Sequence, residues 1–130
     1  MVPSYLQELC KNQSYNPDNF FLIAGPCVVE NEALVMEVAD KVSAICKRLE
    51  IAYVFKASYR KANRTSSSSF TGLGDSIGLD LIKKVGDAFH LPTTSDVHAH
   101  DECAEAAKYI DLLQIPAFLC RQTDLLLSLI

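Results

Sequence analysis

Behind a short apolar run, the segment "VFKASYRKANRTSSSSF", Val54 to Phe70, gathers two lysines, two arginines, an asparagine, a threonine and a run of serines. Lys56 and Lys61 offer point charges, Arg64 offers a planar fork suited to bidentate phosphate contacts, and Thr65 with Ser66 offers hydroxyls and backbone N–H groups. That set suits a small phosphorylated ligand, although a solvated basic loop would have the same composition. In "TSDVHAH", Asp96 is suited to orienting a substrate hydroxyl and His98 to acting as acid, base or metal ligand. His98 and His100 lack a third ligand at usual spacing, so loop histidines beside a capping Asp are an equal reading. Cys27 follows Gly25 and Pro26, where a thiolate can bind a divalent transition metal or simply pack. In "LQIPAF", the Gln114 carboxamide and the backbone exposed by the Pro116 kink are suited to lining a pocket.

These residues need elements to position them, and the chain supplies an alternating pattern. "FFLIAGP" is a continuous apolar run ended by Gly25 and Pro26, as expected of a strand buried on both faces. From Asn31, a candidate N-cap, Leu34, Val38, Val42, Ile45 and Leu49 recur at helical spacing and predict an amphipathic helix of about five turns. "AYVFKAS" reads as a second strand; after Gly72 and Gly74, the residues Ile77, Leu81, Ile82, Val85 and Phe89 mark a second helix. "LPTTSDV" is a weaker third strand, "HDECAEAAKYI" a helix, "DLLQIPAF" a fourth strand, and "RQTDLLLSLI" opens a fourth helix. Residues 1–19, with the turn cluster "QSYNPDN", read as an N-terminal arm, and 20–130 as the organised part.

Four strand–helix units predict an α/β architecture with a parallel sheet. A small open doubly wound sheet and part of a (β/α)8 TIM-type barrel both fit that pattern. The polar residues favour the barrel: Cys27, Lys56, Asp96 and Gln114 fall at or near the C-terminal ends of four different strands, where such barrels assemble active sites.

Composition narrows the partners. With 130 residues, 49% of them hydrophobic, the chain can bury a core. A formal net charge of −4 argues against a general nucleic-acid or membrane-surface binder. Five cysteines at scattered spacing, with no CxxC pair, form neither a disulfide framework nor a zinc-finger pattern and fit a reducing, cytoplasmic setting.

Taken in order, "IAGPC", "FKAS", "KANR", "TSDVH" and "QIPAFLCRQTDLL" resemble the 3-deoxy-D-manno-octulosonate 8-phosphate synthases, relatives of the DAHP synthases. The resemblance runs from about Phe20 to Ile130. It implies a (β/α)8 barrel that condenses phosphoenolpyruvate with arabinose 5-phosphate, functions as a homotetramer and serves lipopolysaccharide biosynthesis. It assigns Lys56, Lys61 and Gln114 to phosphoenolpyruvate, with Ala117 near its phosphate and Pro116 and Phe118 beside it. Asn63 and Asp96 would contact the arabinose chain, while Arg64 and Thr65, where the family usually has Ser, would grip the sugar phosphate. Lys61, Asn63 and Asp96 are the implied catalytic set. Cys27 matches the class that needs a divalent metal such as manganese, iron or zinc.

The family's other metal ligands and its basic clamp for the phosphoenolpyruvate phosphate lie in the second half of the barrel. The expectation is therefore the N-terminal half of a synthase, inactive by itself. The alternatives are a non-catalytic phosphosugar-binding module and a related DAHP synthase-type enzyme; the apolar stop at "DLLLSLI" favours the half-barrel over the module.

Overall fold

The computed structural model describes residues 1–61, 72 and 74–130. Four strands, β1 (Phe21–Ala24), β2 (Ala52–Lys56), β3 (Thr93–Asp96) and β4 (Leu112–Gln114), alternate with helices α2 (Glu32–Arg48), α3 (Asp75–Phe89), α4 (Cys103–Ala106) and α5 (Thr123–Leu127), after a short α1 (Ser4–Leu9). All neighbouring strands are parallel and the order is β1-β2-β3-β4. A doubly wound sheet reverses its strand order at a switch point; this sheet does not, as in a partial (β/α) barrel. No described helix is long and apolar enough to cross a membrane.

The pleat sends alternate residues to opposite faces. On β2, Tyr53 and Phe55 join Val35 and Ala39 of α2 and Leu79, Ile82 and Val85 of α3 in the main core. Ala52 and Val54 point the other way, against Val2, Leu6 and Cys10. The first residues of the chain thus pack on the inner face of the sheet, with Val2, Leu6 and Cys10 spaced to share one side of α1 and its flanks. Gln13 completes that contact: its Nε2 donates to the Tyr53 carbonyl at 2.7 Å, and its Oε1 accepts from the Tyr53 N–H at 2.9 Å. β3 reaches only Phe55 in register, so this one amide satisfies backbone groups of Tyr53 that no strand pairs on that side.

Three expected elements come out shorter. The expected helix over "HDECAEAAKYI" is a 3-10 turn, His100–Glu102, running into the single turn of α4. The fourth strand stops at Gln114, because Pro116 lacks the N–H a strand needs and instead opens a 3-10 turn over Ala117–Leu119. The fourth of the expected helices, α5, starts at Thr123.

Asn31 caps α2 as expected, accepting from the Leu34 N–H at 2.9 Å. The buried stripe of α2 is Val35, Ala39 and Cys46, with Ile45 and Leu49 exposed, because small residues let a helix lie close to a sheet while larger ones flank it. On α3 the same shift buries Gly78 and Leu79 and exposes Ile77.

β3 looks weak in sequence because Thr93, Thr94 and Ser95 are polar, yet all three are buried. Each finds a partner. Thr93 donates its N–H and hydroxyl to Asp111 Oδ2, Thr94 Oγ1 donates to the Leu112 carbonyl at 2.9 Å, and Ser95 Oγ accepts from the Tyr59 N–H. Hydrogen bonds thereby offset the cost of burying three hydroxyls.

Beyond β1 the chain stays beside β2: Val28 bridges Ser58, and the Val29 N–H donates to the Ser58 carbonyl at 2.9 Å. Gly25 makes this approach possible, since a Cβ there would lie 1.8 Å from the Lys56 carbonyl oxygen. Gly25→Ala should therefore destabilise the chain by about 3 kcal/mol, at the upper end of overpacking costs, as read from urea denaturation; a change below about 0.5 kcal/mol would show that the approach is not tight. Gln13→Ala leaves two backbone groups of Tyr53 unpaired and should cost about 2 kcal/mol in the same assay.

Candidate active site

The strand register carries the side chains of interest to one place. Lys56 pairs with Thr94, Thr94 with Leu112, and Asp96 with Gln114, so Lys56, Asp96 and Gln114 share the inner face at the C-terminal ends of β2, β3 and β4. The N-terminal residues cover the other end of that face, around Ala52 and Val54. Ile23 on β1 remains 43% exposed, and Gln114 is exposed.

Asp96 is the focus. Its Oδ1 accepts a short hydrogen bond from Ser58 Oγ and lies 3.8 Å from Lys56 Nζ; its Oδ2 lies 2.9 Å from His98 Nε2. Its side chain is 15% exposed. Burial on its own would raise the carboxyl pKa. Hydrogen bonds from His98 and Ser58, with the Lys56 ammonium, outweigh that effect and hold it at about 2. The result is a carboxylate that stays ionised where the sheet opens and is fixed on both oxygens.

A second group of contacts stands behind the first. Glu102 Oε2 accepts from the Tyr59 hydroxyl at 2.6 Å and from the His98 backbone N–H at 2.9 Å, and Glu102 Oε1 accepts from the Arg60 guanidinium. Arg60 also reaches Asp75 Oδ2 at 3.2 Å. Tyr59 is buried, and desolvation pushes its hydroxyl pKa up, so it stays a donor. Gly78 lets α3 close on this residue, since a Cβ there would come 2.9 Å from the Tyr59 Cβ.

Of the residues named from sequence, Lys56, Asp96 and Gln114 come together. Lys61 is described and partly buried. Asn63, Arg64 and Thr65 lie outside the described residues. Pro116 is buried, whereas Ala117 and Phe118 are exposed on the turn that follows β4. Sequence reasoning missed Ser58, Tyr59, Arg60 and Glu102; the i,i+4 spacing of His98 and Glu102 was the one local signal for them.

Cys27 is exposed in the turn between Pro26 and the Val28 bridge. Among the described residues no three of His, Cys, Asp and Glu converge to hold a metal ion. Catalytic sites use about three protein ligands, so the described side chains do not by themselves fit a bound divalent cation. The cleft of about 440 Å³ lined by Leu9, Lys83, Asp87, His90, Tyr109 and Asp111, among others, lies instead at the N-terminal side of β3, near Pro92 and Thr93. Barrel chemistry occurs at the other end of the strands, so this cleft is set aside as the site.

A parallel strand–helix sheet with a fixed carboxylate, an ammonium and an amide at its C-terminal mouth has the architecture of a partial (β/α) barrel. More particularly, the chain belongs to the DAHP synthetase I family, whose model matches residues 12–129. It is 55% identical over 108 residues to a 2-dehydro-3-deoxyphosphooctonate aldolase of Koribacter versatilis, covering 83% of this chain and 39% of the relative. Proteins of the same name from Fusobacterium nucleatum and Geobacter sulfurreducens are 52% identical over 109 residues and 50% over 107, covering 84% and 82% of this chain and 39% of each relative. The chain thus spans about two fifths of the length of these relatives; the family match and the identity bear out the resemblance drawn from the motifs.

The depressed pKa of Asp96 has a definite sign. The folded state favours the ionised form, so its contribution is present in full above the ordinary carboxyl pKa of about 4 and is lost as pH falls toward about 2. Across that window Asp96→Asn should flatten the acid limb of stability by roughly 2 kcal/mol, from a shift of nearly two pKa units. Denaturant midpoints at pH 2.5 and pH 6 check this; equal acid limbs in both proteins would contradict it.

Proposed function

We propose that this chain carries the Asp96 side of a site that condenses phosphoenolpyruvate with arabinose 5-phosphate to give 3-deoxy-D-manno-octulosonate 8-phosphate and phosphate. The observation that carries the reading is the shared inner-face placement of Lys56, Asp96 and Gln114 at three successive strand ends. The 50–55% identity to relatives named 2-dehydro-3-deoxyphosphooctonate aldolase supports the same chemistry.

In this reading the ionised Asp96 accepts hydrogen bonds from hydroxyls of the open-chain sugar and so turns its aldehyde toward the enolpyruvate. Lys56, 3.8 Å from that carboxylate, contributes positive charge beside phosphoenolpyruvate, and the exposed Gln114 amide contacts the same substrate. Pro116, Ala117 and Phe118 border its phosphate. Carbon 3 of phosphoenolpyruvate attacks the aldehyde carbon, water adds at carbon 2, and the intermediate expels phosphate. Negative charge grows on the aldehyde oxygen, and the Lys61 ammonium is the donor assigned to stabilise it. Asn63 would hold the sugar chain, and Arg64 with Thr65 its phosphate, matching a fork and a hydroxyl to a phosphate dianion.

Cys27 is assigned as one thiolate donor to a divalent metal, with the remaining donors supplied by other side chains. The chain is read as the N-terminal half of the barrel, in an enzyme that assembles as a homotetramer in the cytoplasm. Because, among the described residues, β1 and β4 each pair on one side only and no further metal donors gather with Cys27, this half is expected to bind substrate without turning it over.

Two measurements on the 130-residue chain test this. Arabinose 5-phosphate should raise its melting temperature, with Asp96→Leu abolishing the shift; no shift in the folded wild-type chain would remove the reading. Phosphate release from the two substrates with added manganese should stay at background with and without chelator, and chelator-sensitive release would refute the half-site assignment.

A further inference from the structure

His98 is a buried polar side chain that the proposed chemistry leaves without a role. Its side chain is 8% exposed, and its Nδ1 is buried with no hydrogen-bond partner among the described residues. An orphaned buried nitrogen is uncommon and calls for a physical reason. The surroundings supply one. A neutral imidazole carries one N–H and one lone pair. Nε2 lies 2.9 Å from Asp96 Oδ2, and an ionised carboxylate only accepts, so a lone pair on Nε2 would meet negative charge. The proton therefore belongs on Nε2, and the lone pair on Nδ1.

On the Nδ1 side, Glu102 Oε2 is 3.8 Å away, and it already accepts from the Tyr59 hydroxyl and the His98 backbone N–H. The Tyr59 ring meets the imidazole edge to face at 6.2 Å between centroids. Among the described residues, the charged and titratable groups around His98 are Asp96, Glu102 and Tyr59, with Lys56 beyond Asp96 and Arg60 beyond Glu102. From Glu102 the contacts continue to Arg60, and from Arg60 to Asp75, the first residue of α3. Arg60 and Asp75 flank the sequence 61–74, which contains Lys61.

We propose that His98 is a positioning residue, whose Nε2–H locks the Asp96 carboxylate while Glu102, accepting from the His98 backbone N–H, ties the same residue to the Arg60–Asp75 pair. The strand end bearing the carboxylate, Arg60 and Asp75 are then held as one unit. A rigid shell of this kind is what keeps a reacting group within the narrow tolerance that catalysis needs. The contribution to substrate binding rests on the reading of Asp96 as a sugar contact, whereas the proton location and the tie to Arg60 do not.

Long-range proton–nitrogen NMR of the 15N-labelled 130-residue chain at pH 8 tests the proton location without any variant. The result expected is a single Nε2–H tautomer for His98 beside averaged tautomers for the exposed His90 and His100. A proton on Nδ1, or a mixture like that of His90, would overturn the proposal. Glu102→Gln should shift the backbone amides of Arg60 and Lys61 together with the His98 ring signals; unmoved amides in a folded variant would refute the tie.

Titration with arabinose 5-phosphate completes the test, with at least about tenfold weaker binding expected for His98→Asn, as for an energetic loss of one strong contact. Unchanged affinity in that variant would refute positioning. Absence of binding by the wild-type chain would instead refute the proposed function, and the tautomer and amide shifts would still decide the relay.

Discussion

The carboxylate of Asp96 is kept charged at the mouth of a sheet, and much of the local structure can be understood as what that requires. A largely buried carboxylate is costly unless donors surround it. Three elements supply them: Lys56 from the end of β2, Ser58 from the turn after it, and His98 from the turn after β3. Parallel pairing of β2 with β3 is what brings these together, since Ser58 and the Asp96 carboxylate it donates to are 38 apart in sequence. The close approach of the β1 turn, allowed by Gly25, holds the segment around Ser58 from the other side.

The two faces of the sheet have separate tasks. The outer face carries the apolar core with α2 and α3 and supplies most of the hydrophobic stabilisation. The inner face is divided along the strands. Near the strand N-termini it is sealed by Val2, Leu6 and Cys10 and by the Gln13 amide, and near the C-termini it is left to polar side chains. Apolar packing and the polar cluster thus occupy opposite ends of the same strands, the division found in (β/α) barrels.

Much of this was legible in the sequence because it follows from local patterns. The apolar runs, the helical spacing after Asn31 and the polar residues at strand ends give the parallel sheet and place Lys56, Asp96 and Gln114. What stayed hidden depends on contacts between distant residues. Nothing in "TTSD" announces a buried strand, because its burial is licensed by Asp111, Leu112 and Tyr59. The Tyr59–Glu102 and Arg60–Glu102 bonds join positions more than forty residues apart. The packing of the first residues did leave a signal, the helical spacing of Val2, Leu6 and Cys10, which the polar turn cluster after it obscures.

The central claim is that the strand C-terminal mouth around Asp96 is where a phosphorylated sugar binds. Chemical-shift mapping of the 130-residue chain with arabinose 5-phosphate tests it most directly. Shifts are expected at Lys56, Ser58, Asp96, His98 and Gln114, with the cleft around Asp87, His90 and Tyr109 silent. Shifts confined to that cleft, or none at all in folded protein, would contradict it.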